Sequence, residues 1–80
     1  MDNKISIIIQ LFAHYRENRF KVEKREYTLN TTANDVIEEL GIHKEPYPFG
    51  FLMVNSKHQE LNYILQEGDI LALFPKVGGG

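Results

Sequence analysis

There is no cysteine in the chain. That excludes disulfides, thiolate chemistry and cysteine-rich zinc sites. Charge of one sign is missing too. Nine Lys and Arg stand against eleven Asp and Glu, a net charge of −2, so nothing in the balance points to a phosphate backbone as partner. The cations Arg16, Arg19, Lys21, Lys24 and Arg25 are interleaved with Glu17, Glu23 and Glu26 and read as a solvated face. No apolar run approaches the ~20 residues that a spanning helix needs, and Met1-Asp2-Asn3-Lys4 does not open a signal peptide; the expected location is cytoplasmic. Size is also short. A chain of 80 residues suits one domain that buries about 60% of its unfolded surface. Little material remains to wall a ligand cavity of roughly 300–1,000 Å³, which argues against a self-contained enzyme. His14, His43 and His58 lack metal-ligand spacing, so no metal is expected. Glu38 and Glu39 are neighbours on a helical stretch, where they diverge and point to solvent rather than forming an acid–base pair. No nucleophile, base and orienting group stand together.

What is present is a clear order of elements. "KISIIIQLFAHY" is β-branched and alternates: Ile5, Ile7, Ile9 and Leu11 fall on one face and form core, while Ser6, Ile8, Gln10 and Phe12 fall on the other. "RENR" reads as a polar turn. "FKVEKREYTL" follows as a second strand and closes an antiparallel hairpin. In it Phe20 and Val22 alternate with Lys21 and Glu23, with a phase shift expected near Lys24-Arg25 ahead of Tyr27 and Leu29. "TTANDVIEELGI" is a helix: Thr32 caps it with Asp35 in the capping-box position, Ala33, Val36, Ile37 and Leu40 make the packed stripe, and Gly41 ends it. Asn30-Thr31-Thr32 matches a glycosylation sequon but serves as the entry to this helix. "HKEPYPFG" is a loop, "FLMVN" a short buried strand, "SKHQELNYIL" irregular with a turn, a brief strand and a helical turn, and "QEGD" a turn. "ILALFP" is the last strand, stopped by Pro75, which has no amide proton for a ladder. The order strand, strand, helix, strand, short element, strand resembles the α+β β-grasp, or ubiquitin-like, fold. There a mixed sheet of about four to five strands clasps one helix and the first and last strands are central neighbours. A ferredoxin-like fold would need a second long helix. The domain is expected to span 1–75, leaving 76–80 as a flexible glycine tail.

That tail, "KVGGG", asks for an explanation. At a usual glycine frequency of ~7%, three in a row arise by chance at a level on the order of three in ten thousand. Glycine is costly to order and adds nothing to a core. A terminal carboxyl, however, ionises with a pKa of about 3.5 and becomes an acyl donor once adenylated with ATP. Lys76 to Gly80 can extend about 17 Å, and a backbone without Cβ atoms passes a channel that side chains would block. Pro75 stiffens the exit from the sheet. The pattern is that of a thin leash on a compact knob, a protein co-substrate rather than a catalyst.

"LFAHYRE" near the start and "EGDILALFPKVGGG" at the end resemble the MoaD/ThiS sulfur-carrier family, which includes the small subunit of molybdopterin synthase and the thiamine-pathway carrier. The resemblance covers nearly the whole chain. It implies that a ubiquitin-activating-like enzyme adenylates Gly80, that a sulfurtransferase or sulfide donor converts it to a thiocarboxylate, and that the sulfur passes to an acceptor such as the large subunit of molybdopterin synthase. Gly79 is then the other half of the Gly-Gly signature, and Lys76, Val77 and Gly78 the leash. No cofactor is bound; ATP belongs to the activating enzyme. With Leu71 and Leu73 facing the core, Ile70, Ala72 and Phe74 face the other way, as Phe12 does, so Phe12 and Phe74 are expected to form an exposed aromatic patch at the root of the tail, ahead of Pro75. The resemblance places phenylalanines at both positions against the large subunit, with Arg16 near that surface. Two departures stand out. Lys76 replaces the second proline of a frequent Phe-Pro-Pro-Val, and the third apolar member of the patch, in "VNSKHQE", is replaced by polar His58 and Gln59.

The molybdopterin or tungsten-pterin branch is favoured by "LFAHYRE" and Phe-Pro. The thiamine branch is second, a ubiquitin-like modifier of target lysines third, and a β-grasp binding module with an inert tail fourth. Neither nucleic acid nor membrane is an expected partner.

Overall fold

The computed structural model describes residues 3–76. Strand β1 (Lys4–Leu11) leads through a 3-10 helix (Ala13–Arg16) to β2 (Val22–Thr28). Helix α1 (Ala33–Glu39) and a second 3-10 helix (Ile42–Lys44) follow, then β3 (Phe51–Val54), β4 (Lys57–Gln59) and β5 (Ile70–Phe74). The five strands form one mixed sheet in the order β2-β1-β5-β3-β4. β1 and β5 are parallel central neighbours, and the other pairs are antiparallel. This is the β-grasp arrangement, and its central pair is the one that the element order predicts.

One face of the sheet carries the core. Ile5, Ile7, Ile9 and Leu11 from β1, Leu71 and Leu73 from β5, and Leu52 and Val54 from β3 are buried with Ala33, Val36 and Ile37 of α1 and with Ile42 and Leu65. Each Val, Leu or Ile side chain among them contributes about 1.5–3 kcal/mol by leaving water. The helix begins as read: Thr32 accepts from the Asp35 amide at 3.1 Å, and Asp35 accepts from the Thr32 amide at 2.9 Å, a reciprocal capping box. It ends where Gly41 turns to a φ of 79°.

Four expectations are corrected. The first strand does not run to Tyr15: it stops at Leu11, and a 3-10 helix over Ala13–Arg16 drives Tyr15 into the core, where it is 2% exposed. The alternation of β2 never shifts phase: Glu23, Arg25 and Tyr27 are half-buried, and Val22 is 56% exposed. The inward-facing Arg25 is paired with Glu23, reaches Glu39 at 3.1 Å and lies over the Phe20 ring, so its charge is matched without a break in register. Glu39 therefore does not merely face solvent, since it also accepts from the Tyr27 hydroxyl at 2.6 Å. Finally, "FLMVN" is buried on one face only: Leu52 and Val54 are core, and Phe51 is 40% exposed.

The "EGD" turn is held by a buried carboxylate. Asp69 is 5% exposed and accepts from Asn55 Nδ2 at 2.9 Å, the Tyr63 hydroxyl at 2.9 Å and the Gln66 amide at 2.8 Å. Asn55 and Ser56, both at positive φ (52° and 70°), make the two-residue turn between β3 and β4 in the sense that suits strand twist. Asn55 Oδ1 then accepts from the Ile70 amide at 3.0 Å. One carboxylate thus ties the entry of β5 to the end of β3 and to the 60–66 loop. The last strand stops at Phe74. Of the expected tail, only Lys76, which is exposed, lies among the described residues; Val77, Gly78, Gly79 and Gly80 lie outside them. Among the described residues no helix is long and apolar enough to cross a membrane.

Asp69→Ala leaves three donors without their acceptor. The expected cost is about 3 kcal/mol, read as a lower urea midpoint at unchanged slope. Alkaline stability has a separate signature. Burial, and then the bond to Glu39, push the Tyr27 hydroxyl up to about 12 from 10.0. The native state therefore holds its proton more tightly than the unfolded chain does. This contribution is complete below pH 10 and is lost between pH 10 and about 12. Burial raises Tyr15 and Tyr63 as well, so urea titrations of Tyr27→Phe beside the parent across that window should show a shallower decline in the variant.

Candidate functional site: an aromatic row at the root of the tail

The second face of the sheet carries no helix, and the pleat decides what appears on it. Ile8 pairs with Ile70 and Gln10 with Ala72 across the parallel ladder. Ala72 pairs with Met53 and Phe74 with Phe51 across the antiparallel one. All of these alternate with core residues and so face away from the helix. The Phe12 amide adds one more rung, donating to the Leu73 carbonyl at 3.2 Å.

Three phenylalanines consequently meet in a row. Phe12 and Phe74 stack with centroids 4.4 Å apart and planes 8° from parallel. Phe74 and Phe51 stack at 4.7 Å and 5°. His58 lies tilted against Phe51 at 5.2 Å. At the other end the Arg16 guanidinium carbon sits 5.3 Å from the Phe12 centroid, within range of a cation–π contact. Arg16 Nε donates to the Leu11 carbonyl at 2.6 Å, which fixes the cation in place. Pro75 follows the middle ring directly, so the row stands where the chain leaves the sheet.

The structure thus brings Phe12, Phe74 and Arg16 together as the sequence reading arranged them, but both rings are half-buried rather than exposed and Pro75 is buried behind them, while Gly79 and Gly80 lie outside the described residues. It adds Phe51, which that reading missed. The signal was present: by alternation with Leu52 and Val54, Phe51 and Met53 must face outward, but an all-apolar "FLMV" read as buried on both faces. Phe51 also answers the departure at His58. The patch has its third apolar member, supplied from β3, with His58 packed on its outer side.

Below the row runs a shallow groove of about 250 Å³ past Ala72 and Met53 to Ile70 and Asn55. It is smaller than typical small-molecule sites, and the face as a whole has the composition of a protein-binding surface. A larger cleft of about 440 Å³ opens elsewhere, beside His14, Arg19, Glu45 and Tyr47. Its charges are engaged. Arg19 donates to Glu45 at 2.9 Å, to the Leu40 carbonyl at 3.0 Å and to the Tyr15 carbonyl at 3.1 Å, whereas His14 Nε2, 3.4 Å from Glu45, is buried without a hydrogen bond. His43 bonds Asn34 at 2.6 Å. Among the described residues no three His, Asp or Glu side chains converge to hold a metal ion.

A compact β-grasp sheet with one open aromatic face defines a ubiquitin-like protein. The ThiS family model matches residues 9–80. The chain belongs to that family, whose ubiquitin-fold members are sulfur carriers or modifiers. None of the curated proteins matches it. Among solved structures it is similar to a Pyrococcus furiosus protein described as molybdopterin converting factor subunit 1, at 22% identity and a TM-score of 0.74, covering 91% of this chain and 99% of that one. It is similar to small archaeal modifier protein 1 of Haloferax volcanii, at 24% identity and a TM-score of 0.72, with the same coverage of 91% and 99%. It also resembles a chain in the complex of subunits 1 and 2 of the Helicobacter pylori molybdopterin-converting factor, at 22% identity and a TM-score of 0.59, covering 95% and 100%.

The row should behave as a coupled unit in folding as well. Double-mutant cycles of Phe12→Ala with Phe74→Ala, and of Phe51→Ala with Phe74→Ala, should each return a coupling of about 1 kcal/mol. The cycle of Phe12→Ala with Phe51→Ala, rings that do not stack on each other, should return much less. Equilibrium urea unfolding measures all three.

Proposed function

We propose that the chain is a sulfur carrier that docks through its aromatic row and works through the carboxylate of Gly80. The observation that carries this reading is the position of the row. Phe74 is both its middle ring and the penultimate residue before the tail, with only Pro75 between it and Lys76, so a partner that grips the row also receives the chain end. An adenylating enzyme of the ubiquitin-activating type engages the face. A Gly80 carboxylate oxygen attacks the α-phosphorus of ATP, which releases pyrophosphate and leaves an acyl-adenylate. Hydrosulfide from a sulfide donor attacks the carbonyl carbon and expels AMP, and the lost proton passes to solvent. The product is a C-terminal thiocarboxylate. A sulfurtransferase persulfide can replace free sulfide: its terminal sulfur attacks the same carbon and expels AMP to give an acyl disulfide, and a second thiol then cleaves that disulfide, releasing the thiocarboxylate and leaving a disulfide on the sulfurtransferase.

We assign the acceptor to molybdopterin or tungsten-pterin synthesis, with this chain as the small subunit of a two-subunit synthase. The solved complex of converting-factor subunits 1 and 2 supports a large acceptor subunit as partner, and Phe12, Phe74 and Arg16 are the residues we place against it. Lys76, Val77 and Gly78 act as the leash, and Gly79 as the slim residue beside the reacting one. The likeness to a small archaeal modifier favours a second reading, in which the same activated carboxyl forms isopeptides with lysines; a thiamine-pathway acceptor is the remaining member of the set.

Incubation with ATP, an adenylating enzyme of this type and sulfide should raise the intact mass by the exchange of one oxygen for sulfur. A chain lacking Gly80 should show no change. Lysine-linked adducts in a lysate, lost with the same deletion and formed without the thiocarboxylate, would replace the carrier reading with the modifier reading.

A further inference from the structure

Gly50 stands immediately before β3, and its surroundings leave no room for a side chain. A Cβ built there would fall well inside 3.0 Å of the Phe74 carbonyl oxygen, the Pro75 carbonyl carbon and the Lys76 amide nitrogen. All three are backbone atoms, so no side chain can swing aside to make space. The requirement is spatial: Gly50 is not among the residues at positive φ. The notch is gripped from both sides. On one side the Gly50 amide donates to the hydroxyl of buried Tyr15 at 3.3 Å, whose ring stacks on Phe49 at 6.1 Å. On the other side Phe74 is fixed by its pairing with Phe51 and by the two stacked rings beside it. Beyond the paired Phe74, the atoms that must shift for a Cβ are those of buried Pro75 and exposed Lys76, where the chain leaves the sheet.

We infer that Gly50 is a positioning residue, a backbone notch that sets the direction in which the tail departs from the aromatic face. This rests on the carrier reading above for its functional consequence, but the geometry stands without it. A partner holding the row meets Pro75 and Lys76 in the orientation that the notch sets. A Cβ in the notch turns Pro75 and Lys76 away from that orientation while the row keeps its exposed Phe51 and the outer faces of its half-buried Phe12 and Phe74. Glycine here serves the approach of one backbone to another.

The test compares Gly50→Ala with the parent and with Ile37→Val, a core variant that lowers stability far from the tail. The first readout is the Lys76 N–H residual dipolar coupling. It should change in Gly50→Ala by more than the scatter over β1 and β5 and stay put in Ile37→Val. The second is steady-state adenylation. In Gly50→Ala kcat should fall about tenfold or more, with KM within about twofold because the docking face persists. Activation no worse than in Ile37→Val, or an unchanged Lys76 coupling, overturns the inference. If the parent itself is not adenylated, the carrier reading fails, and the coupling alone decides whether Gly50 sets the exit. Should Gly50→Ala not fold, Tyr15→Phe frees the amide side of the notch. A shifted Lys76 coupling in that variant then supports the assignment, and an unshifted one overturns it.

Discussion

The parallel pairing of β1 with β5 is the constraint on which the candidate site depends. A parallel pair brings like ends together, so Phe12, just past the end of β1, reaches Phe74 at the end of β5. An antiparallel pair would have set Phe12 beside Ile70, and no row could form. The register is fixed from below, where the Gly68 amide donates to the Ser6 carbonyl at 2.8 Å and the Ser6 amide to Glu67 Oε1 at 2.9 Å. It is fixed along the ladder where the Ile8 amide donates to the Asp69 carbonyl at 2.9 Å. A slip of one residue would turn Leu71 and Leu73 out and Phe74 in. The Glu67-Gly68-Asp69 turn, far in sequence from Phe12, thus decides whether the two rings meet.

The open face follows from economy of material. An antiparallel or mixed sheet can leave one face uncovered, and a seven-residue helix with two short 3-10 turns covers one side only. What is unusual is how the other side is furnished. β2, at one edge, presents Lys24, Glu26 and Thr28 to solvent, which discourages edge-to-edge pairing. The centre and the opposite side present Phe12, Ile70, Phe74, Phe51 and Met53. Stacking makes the three rings cover one another in part, which lowers the exposed apolar area in the free chain while leaving the outer faces available. Arg16 at one end and His58 at the other give the row two polar termini, and with them a direction along which a partner can align.

How much was legible depended on whether a residue's surroundings were local. Period-two alternation in β1 identified its buried and open faces, and the Thr32-Asp35 spacing identified the helix start, because both are set by neighbours in sequence. Phe12 and Phe74 were legible as a pair once the element order suggested adjacent first and last strands. β2 was misread because its inward face is lined by Glu23, Arg25 and Tyr27, whose burial is made tolerable by partners in other elements. Charge pattern alone gives no sign that Glu39, on the helix, completes that set. Tyr15 read as the end of the first strand, and only the 3-10 turn directs it inward. Gly50 resembled any loop glycine, since what it approaches is 24 to 26 residues further along the chain.

Distant contacts also occupy most of the charged groups within this small molecule. The charged groups inside it are committed to structure: Arg19 to Glu45 and two carbonyls, Arg25 to Glu23 and Glu39, and Asp69 to three donors. Among the described residues, Arg16 and His58 are the ionisable groups that pack on the aromatic row. If the carrier reading holds, reactive groups must come from the partner, and this chain supplies a surface to grip and a carboxylate to deliver. Such a division favours a rigid junction between the two, because energy gained by gripping the face helps the reaction only as far as the face dictates where the chain end arrives. Phe74 in the row, Pro75 with its fixed φ and the notch at Gly50 behind them form that junction.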